Sequence, residues 1–494
     1  MSARGLVDQV LDPGSWTSWD VPPVDPPGYP DELAAARACS GYDEAVITGS
    51  GTLHGRRVAL VVSEFSFLAG SIGTATAARI IAAVERATAE GLPLLAAPSS
   101  GGTRMQEGTV AFVQMARITA AVMRHKAARL PYLVYLRHPT TGGVLASWGS
   151  LGHVTAAAPG ALIGFLGPRV YEALHGSPFP PGVQVSENLF AQGLVDAVVS
   201  AEEVGGIAAR ALNVLCATAP QATAPQATAP PQSDSASPSA VPAVPHGTDV
   251  PAWESILRSR EPDRPGVRDL LREASEVTPL SGTGEGESDP GLLLALASFG
   301  AAACVVVGQD RRAQRAGHPI GPAGLRVARR GIRLAAELGL PLLTVIDTPG
   351  AVLSAEAEER GLAGEIARCL ADLLVAPNPT LCLLLGEGTG GAALALLPAD
   401  RVLCAQHGWL SPLPPEAASA IVYRDVGHAA EMAHAQGVRS ADLLRDGIVD
   451  RILPEGEDFC ARTSVVLAEE LTRLAAMDEA ARLAARDGRY GVIS

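Results

Sequence analysis

Lysine is almost absent from this 494-residue sequence: Lys126 stands alone, and arginine carries the rest of the positive charge. A Schiff base or a P-loop phosphate site would therefore depend on that one residue. No Walker-type P-loop motif occurs, which argues against hydrolysis of ATP or GTP. The chain also has no GxSxG and no HExxH, so neither a serine hydrolase nor a zinc peptidase is predicted.

Cysteine is present but forms no recognisable framework. The seven cysteines are scattered without a CxxC pair, so the sequence predicts no metal site and no disulfides, in keeping with a reducing cytoplasm. No apolar signal segment opens the chain. The one membrane-like stretch, 291–308, is uncharged but contains Gly300, and it predicts two buried strands around a turn rather than a membrane span. We expect a soluble cytoplasmic protein.

Charge is sparse and mostly negative. Charged residues make up 18% of the chain, with 38 basic against 52 acidic side chains and a net charge of −14. Such a chain is a poor electrostatic partner for nucleic acid or an anionic membrane, and we expect neither as a partner. Hydrophobic residues, at 47%, provide for large buried cores, and the length suggests two or three domains.

A stretch without core-forming residues divides the chain. Residues 215–249 contain a five-residue repeat of Ala, Thr, Pro and Gln and then a Ser/Pro-rich segment, which is typical of a disordered linker. The linker separates a predicted first domain, residues 1–214, from a predicted second domain, residues 250–494.

The two parts repeat one pattern. GLPLL begins at Gly91 and again at Gly339, and TGG begins at Thr141 and again at Thr389, so both pairs share an offset of 248 residues. Each part starts with a β-rich pair, continues with an Ala/Arg-rich amphipathic helix, and then has apolar strands that run into glycine-rich loops. This order predicts a duplicated α/β fold.

Four glycine-rich loops follow the predicted strands, and each TGG turn is expected to open a small-residue helix. The loops are SSGGTRMQEG at 99–108, PTTGGVLAS at 139–147, DTPGAVLSAEAEERG at 347–361 and GEGTGGAALA at 386–395. Backbone N–H groups at such a helix start suit an oxyanion, whether phosphate or enolate. The alternative is that glycine only permits tight turns, but four loops in duplicated places favour a ligand site.

One of these loops imitates a dinucleotide-binding fingerprint. Gly386, Gly388 and Gly391 have GxGxxG spacing after a predicted strand. The next acidic residue, Asp400, comes too early to bind a ribose, and 401–405 begins another strand. A dinucleotide site is therefore not predicted.

Three glutamates beside the loops, Glu107, Glu358 and Glu359, could act as acids or bases. Carboxylates in such places more often cap helices or pair with arginines such as Arg104 and Arg360, and we favour that structural role. No nucleophile and no metal then remain, only backbone donors. A site of this kind suits enolate chemistry on a thioester, where stabilising an oxyanion supplies most of the catalysis.

In its motifs the chain resembles biotin-dependent acyl-CoA carboxyltransferases, and more closely the β and α carboxyltransferase subunits of bacterial acetyl-CoA carboxylase, fused in that order. The β-type motifs are LVDQVLDPGSWTSWD, EFSFLAGSIG, SSGGTRMQEGTVAFVQMARI, PTTGGV and ALIGFLGPRV. The α-type motifs are REPDRP, GLPLLTVIDTPGA, AEERG, GEGTGGAALA and IVDRILPE. The resemblance covers nearly all of the chain except the predicted linker.

The resemblance implies two crotonase-like domains, each a superhelix of ββα units. It also implies transfer of a carboxyl group from carboxybiotin to acetyl-CoA or another acyl-CoA, giving malonyl-CoA or a related thioester for fatty-acid biosynthesis. No cofactor would be bound covalently, and a biotin carboxyl carrier protein and a biotin carboxylase would come from other chains. In the family a β-type and an α-type half form the site and can belong to different protomers, so we expect a homodimer or higher homo-oligomer.

The same resemblance implies the site residues. Backbone N–H groups around Gly142 and Gly143 would form one oxyanion hole, and those around Gly391 and Ala392 would form the other. Gly101 and Gly102 would line the CoA side, Gly350 and Gly388 would shape the biotin side, and Arg104, Gly390, Arg311 and Arg312 complete the expected substrate-binding set.

Three departures from the family pattern suggest a specialised paralogue with an unusual acyl group. A four-cysteine zinc ribbon is missing, the loop for CoA phosphates is shortened to QDRRAQRAGHPIGPAG, and Ala69 stands where glycine is usual. Arg311, Arg312 and Arg315 would have to replace the basic residues of that loop. Two alternatives stay open: a biotin-independent malonyl-thioester decarboxylase of the same fold, and a non-catalytic carboxylase subunit.

Overall fold

The computed structural model describes residues 1–216 and 250–491, so the predicted linker lies outside the described residues from 217 onward. The strands of the first half are β1 Thr17–Ser18, β2 Val46–Leu53, β3 Arg56–Ser63, β4 Leu94–Ala97, β5 Tyr132–Leu136, β6 Thr140–Thr141, β7 Val154–Ala157, β8 Ile163–Gly164 and β9 Ala197–Val198. Its helices are α1 Ala3–Val10, α2 Pro30–Ser40, α3 Thr74–Ala89, α4 Gly108–Ala127, α5 Pro168–His175, α6 Ser186–Ala191 and α7 Ala201–Leu215.

The second half follows the same programme. Its strands are β10 Glu276–Leu280, β11 Leu292–Phe299, β12 Ala302–Gln309, β13 Leu342–Thr348, β14 Thr380–Thr389, β15 Arg401–Ala405, β16 Trp409–Ser411 and β17 Arg451–Leu453. Its helices are α8 Ala252–Ser259, α9 Val267–Arg272, α10 Arg311–Arg315, α11 Pro322–Leu338, α12 Ala355–Glu359, α13 Leu362–Leu374, α14 Gly390–Leu394, α15 Pro415–Val422, α16 Ala429–Ala435, α17 Ser440–Arg445, α18 Phe459–Ala475 and α19 Glu479–Tyr490.

Each half contains one mixed sheet of the same topology. The strand order is β1-β2-β3-β4-β5-β7-β9 in the first and β10-β11-β12-β13-β14-β15-β17 in the second, where β16 also pairs with β14. The first three strands of each sheet pair antiparallel and the later ones pair parallel. The predicted α/β fold, two crotonase-like domains duplicated in one chain, is confirmed.

The amphipathic helices predicted after each strand pair are α3 and α11. In α11 the buried residues Leu325, Ala328 and Ile332 recur at helical spacing and face the sheet. Gly331 lets this helix approach closely, because a Cβ there would lie 2.5 Å from the side chain of Val307 on β12. Helix packing thereby covers one face of the parallel strands.

Local predictions succeed where the signal is apolar and fail at one glycine turn. The uncharged stretch forms the antiparallel pair β11 and β12, as predicted. The second TGG opens helix α14, but after the first TGG residues 142–147 form only turns before a short 3₁₀ turn at 148–150. The regular helix expected there does not form, because Ser147 leaves helical geometry and its hydroxyl donates to the carbonyl of Gly143 at 2.5 Å.

The two halves of the chain pack directly on one another. The Thr109 hydroxyl donates to the Leu410 carbonyl at 2.8 Å, and the Thr109 N–H donates to the Gln436 carbonyl at 3.1 Å. The neighbouring Gly108 approaches Gln436 so closely that a Cβ would lie 2.5 Å from its carbonyl oxygen. Among the helices the structure describes, none is long and apolar enough to cross a membrane.

Candidate functional site

A cavity of about 170 Å³ lies between the two halves of one chain. Five predicted glycines line it, four from the first half and one from the second: Gly101, Gly102, Gly142, Gly143 and Gly391. Most of the other lining side chains are apolar, and they are Met105, Phe112, Ala146, Phe165, Leu166, Val170, Leu394, Pro412, Leu413 and Ile421. Donors from two distant glycine-rich turns therefore share one largely apolar space.

The two glycine-rich loops of the first half touch through their backbones. Gly102 has φ +108° and Gly142 has φ +66°, and a Cβ on Gly142 would lie 3.2 Å from the Gly102 Cα. Beside them the Ser100 N–H donates to the Pro139 carbonyl at 2.7 Å, and the Thr141 N–H donates to the Ser100 carbonyl at 2.9 Å. Only glycine combines that backbone conformation with so close an approach.

The predicted oxyanion donors of the first half are not equivalent. The Gly142 N–H donates to the carbonyl of Phe165 at 3.0 Å. The N–H of Gly143 makes no hydrogen bond to any residue that the structure describes. Of the predicted pair, Gly143 alone is left able to donate to a ligand in the cavity.

In the second half the donors lie at the start of α14. The first N–H groups of a helix have no partner within the helix, and the preceding Thr389 does not cap them with its side chain. Gly391 is in the cavity lining, whereas the side chain of Ala392 is fully buried. The N–H groups of Gly391 and Ala392 are thus available by position, with Gly391 nearer the cavity surface.

A buried polar network supports this helix start. The Gln309 side chain donates to the Ala392 carbonyl at 2.8 Å and accepts the N–H of Asp347 at 3.0 Å. The Asp347 carboxyl is fully buried and accepts the Glu387 N–H at 3.1 Å. Its second oxygen, Oδ2, has no hydrogen-bond partner among the described residues, and the nearest guanidinium, that of Arg311, is 3.9 Å away. Burial raises the pKa of Asp347 to about 7, although Arg311 opposes the rise.

Arg104, which was predicted to bind substrate, does not reach the cavity in this structure. Its side chain is fully buried beneath the 99–108 loop and forms a two-pronged ion pair with Glu44 at 2.7 and 2.9 Å. It also donates to the Ser71 carbonyl at 2.9 Å. A guanidinium with these partners anchors the loop from below rather than contacting a ligand.

The arginines expected to bind CoA phosphates behave differently from one another. Arg311, which was predicted to bind phosphate, is buried and donates to the carbonyls of Ser259 and Glu261. Arg312 is exposed, but its guanidinium already pairs with both oxygens of Asp269 at 2.9 Å. Binding of phosphate by Arg312 would have to compete with that carboxylate.

Three other predicted glycines lie outside the cavity lining. Gly388 is within β14, where a Cβ would lie 2.6 Å from the carbonyl of Trp409. Gly350 follows β13 and Gly390 is the first residue of α14, and both have positive φ angles. In this structure these three glycines shape the loops and do not face the ligand space directly.

The three loop glutamates have structural partners, as favoured from the sequence. Glu107 accepts the N–H of Thr74 at the start of α3 and pairs with Arg104 at 3.6 Å. Glu359 accepts the side-chain amide of Asn188 at 3.1 Å. Glu358 accepts the backbone N–H of Phe165, and burial raises the pKa of that glutamate while its hydrogen-bond donors oppose the rise.

Sequence reasoning missed two residues that organise the site. Phe165 contacts the glycine turns of both halves, and Gln309 links two loops of the second half. Phe165 lies within the quoted motif ALIGFLGPRV, so a signal existed. Gln309 is the first residue of the quoted segment QDRRAQRAGHPIGPAG, in which only the arginines were singled out, and its buried position reveals its role. Within the described ranges, no group of three or more His, Cys, Asp or Glu side chains could hold a metal ion.

The chain is similar in sequence to proteins of one family. Residues 4–482 match the family described as Carboxyl transferase domain. The probable biotin-dependent acyl-coenzyme A carboxylase beta3 subunit of Mycobacterium tuberculosis is 58% identical over 492 residues, which cover 97% of this chain and 96% of that protein. The acetyl-coenzyme A carboxylase carboxyl transferase subunits beta/alpha of Salinispora arenicola are 38% identical over 470 residues, covering 92% and 82%.

The solved structures that match are lower in sequence identity. The transcarboxylase 12S crystal structure, with methylmalonyl-coenzyme A and methylmalonic acid bound, is 19% identical with a TM-score of 0.40, covering 97% of this chain and 90% of that one. The beta subunit of P. aeruginosa geranyl-CoA carboxylase is 18% identical with a TM-score of 0.37, covering 96% and 87%.

Proposed function

This chain belongs to the carboxyl transferase domain family, and on that premise we propose that it is the carboxyltransferase component of a biotin-dependent acyl-CoA carboxylase. The reaction is carboxylation of the α-carbon of an acyl-CoA, which gives malonyl-CoA when the acyl group is acetyl. The main support for this proposal is the shared cavity, in which Gly143 and Gly391 bring backbone N–H donors from both halves to one space. A biotin carrier, a biotin carboxylase and a homo-oligomeric assembly in the cytoplasm belong to the same proposal.

The geometry suits a reaction in which two oxyanions form. Loss of the α-proton from a thioester places negative charge on its oxygen, and a preorganised N–H that meets this charge typically contributes about 2.7–4 kcal/mol. Biotin, when bound, supplies the activated carboxyl group and a second oxygen that needs donors. The turn at Gly143 and the start of α14 at Gly391 provide two separate donor sets, so the residues present fit both groups.

The apolar lining has its own part in this mechanism. Phe112, Phe165 and Leu394 border the donors and leave few polar groups to compete for the developing charge. A water-poor space strengthens each N–H contact and protects an enolate from protonation by solvent. The aromatic rings also bound the space for the acyl group, so the acyl group accepted is the first question for kinetics.

The reverse reaction tests the proposal without partner proteins. Purified protein is incubated with malonyl-CoA and free biocytin, and acetyl-CoA is measured with and without the biocytin. We expect turnover that requires biocytin. Turnover without biocytin would instead establish a decarboxylase, and no turnover with malonyl-CoA or methylmalonyl-CoA would leave either an unusual acyl substrate or a non-catalytic subunit.

Alanine substitutions in the two turns test the paired donors. A Cβ on Gly391 would lie 2.9 Å from both the Phe165 ring and a methyl of Ile366, whereas one on Gly143 would lie 3.3 Å from its neighbours. We expect Gly391→Ala to lower kcat about 100-fold or more and Gly143→Ala to lower it about tenfold. Gly206→Ala on α7, where only an arginine terminus is near, is the matched control. Equal, small losses at both turns would contradict the proposal.

A further inference from the structure

Phe165 contacts the glycine turns of both halves. It follows β8, which pairs with β6 just before the first turn. Its carbonyl accepts the Gly142 N–H at 3.0 Å, and its ring occupies the space where a Cβ of Gly391 would be, with ring carbons at 2.9 and 3.1 Å. Any displacement of Phe165 would therefore alter its hydrogen bond to Gly142 and its packing against Gly391.

Glu358, from the opposite half, holds the backbone of Phe165. Its two carboxylate oxygens lie 2.8 and 3.0 Å from the Phe165 N–H, and the Leu166 N–H donates to the same carboxylate at 3.4 Å. The side-chain amide of Gln184 adds a fourth contact at 2.7 Å. Every one of these donors is neutral and comes from the first half. The carboxylate thus binds a loop rather than balancing a cation.

These contacts are linked in series, and the last of them lies beside Gly143, the proposed oxyanion donor. Glu358 fixes the N–H side of Phe165, and the carbonyl of Phe165 fixes the N–H of Gly142. The N–H groups of Gly142 and Gly143 belong to neighbouring peptide planes that meet at the Gly142 Cα, so the hydrogen bond to Phe165 holds the plane next to the Gly143 N–H, which the described structure leaves without a partner. Without the Glu358 carboxylate, the N–H groups of Phe165 and Leu166 would lack a hydrogen-bond acceptor. The loop that carries them would then move to find other acceptors, because a buried unpaired N–H group costs free energy.

We propose that Glu358 is a positioning residue that fixes Phe165 between the two glycine turns, so that the second half aligns the oxyanion donor Gly143 of the first. The inference rests on the proposed function for its catalytic consequence. It needs no proton transfer by Glu358, because the carboxylate acts only as a hydrogen-bond acceptor. The proposal also has a structural part, that Glu358 protects the Phe165 and Leu166 amides from hydrogen exchange. This part can be tested whether or not the protein is active.

The adjacent glutamate offers a matched control. Glu359 also crosses between the halves, where it accepts the side-chain amide of Asn188 at 3.1 Å, but it has no contact with the Phe165 backbone. Glu358→Gln and Glu359→Gln therefore remove the same charge from the same short helix, α12. A residue that merely holds the halves together would give similar results at both positions.

The experiment compares these variants by hydrogen exchange and by kinetics of the biocytin-dependent reaction. In Glu358→Gln an NH2 group, which cannot accept a hydrogen bond, replaces one of the two oxygens that face the Phe165 N–H. We expect this variant to speed amide exchange in a peptide spanning 163–167 and to lower kcat roughly 10- to 100-fold. The KM for malonyl-CoA should stay within about twofold, because the donor acts in the transition state. Glu359→Gln should change neither quantity.

Unchanged exchange in Glu358→Gln, or an equal loss of kcat in Glu359→Gln, would overturn the proposal. Faster exchange combined with an unchanged kcat would overturn its catalytic part. If the unaltered chain shows no biocytin-dependent turnover, the proposed function fails, while the exchange result still decides whether Glu358 holds the loop. Glu358→Asp, whose carboxylate is one methylene shorter, tests the same contact if Glu358→Gln does not fold.

Discussion

The two halves of the chain follow one backbone path but join their glycine-rich loops by different means. In the first half the loops are linked backbone to backbone, through Ser100 with Pro139 and with Thr141. In the second half a side chain provides the link, since Gln309 joins the N–H of Asp347 to the carbonyl of Ala392. Duplication has preserved the course of the chain, whereas the groups that fix the site have diverged.

Buried charge differs between the halves in the same way. The first half places Arg104 beneath its loop in a close, two-pronged pair with Glu44. The second half buries the Asp347 carboxyl beneath its loop, 3.9 Å from the guanidinium of Arg311. The loop of the first half therefore lies above a hydrogen-bonded ion pair, whereas the loop of the second half lies above a carboxyl group with one oxygen that has no hydrogen-bond partner among the described residues. The two proposed oxyanion sites are therefore expected to respond differently to mutation and to pH.

Breaking the pair in the first half should have the largest effect on stability. Arg104→Met leaves the buried Glu44 without its cation, and loss of one partner from a buried pair typically costs about 3–5 kcal/mol. Urea denaturation should show this as a large fall in the unfolding midpoint. Arg312→Ala is the control, because its exposed pair with Asp269 contributes about 0–1 kcal/mol. Similar midpoints for both variants would mean that the Arg104 pair contributes little.

The side-chain link of the second half can be tested against its counterpart in the first. Gln309 ends β12 as Ser63 ends β3, and the Ser63 hydroxyl has no hydrogen-bond partner in the described part of the chain. Gln309→Met leaves the Ala392 carbonyl and the Asp347 N–H unpaired, at a cost of about 1–3 kcal/mol. Ser63→Ala should be nearly neutral. Urea midpoints for both variants check the contrast, and an equal loss at both positions would contradict it.

The fold could be predicted because its signals are repetitive. The shared offset of GLPLL and TGG indicated the duplication, and the uncharged 291–308 stretch indicated the β11 and β12 pair. Ala69, where the resemblance expects glycine, indeed has a positive φ of 54°, the region that glycine favours. Apolar periodicity and glycine placement are local properties, so a sequence displays them.

The site could be predicted only as far as its backbone donors. The glycines at 101–102, 142–143 and 391 meet in one cavity, but the charged residues chosen with them do not. Arg104 and Arg311 are buried because long-range partners, Glu44 in one case and the carbonyls of Ser259 and Glu261 in the other, are brought to them by the fold. Sequence spacing does not reveal such contacts.

A third difference between the halves is a pH dependence that comes from the buried acid of the second half. Burial raises the pKa of Asp347 from its usual 3.8 to about 7, with Arg311, Arg264 and the Glu387 N–H opposing the rise and the Glu387 carboxylate adding to it. Between these two pH values the folded chain keeps a proton that the unfolded chain releases. The contribution of Asp347 to stability is therefore complete below about pH 3.8 and is lost as the pH rises towards 7, at up to about 1.4 kcal/mol per pH unit.

Asp347→Asn should remove this dependence, because the amide retains an acceptor for the Glu387 N–H and cannot ionise. We expect its urea midpoint to exceed that of the unaltered chain by more at pH 8 than at pH 5, because the unaltered chain has lost only part of the Asp347 contribution at pH 5. Ser99, which occupies the corresponding position at the offset of 248 residues, is the control: Ser99→Ala should shift the midpoint equally at both pH values. If Asp347→Asn were less stable than the unaltered chain at pH 8, the ionised carboxylate would be stabilised by Arg311 despite their 3.9 Å separation. The buried charges of the two halves would then be alike.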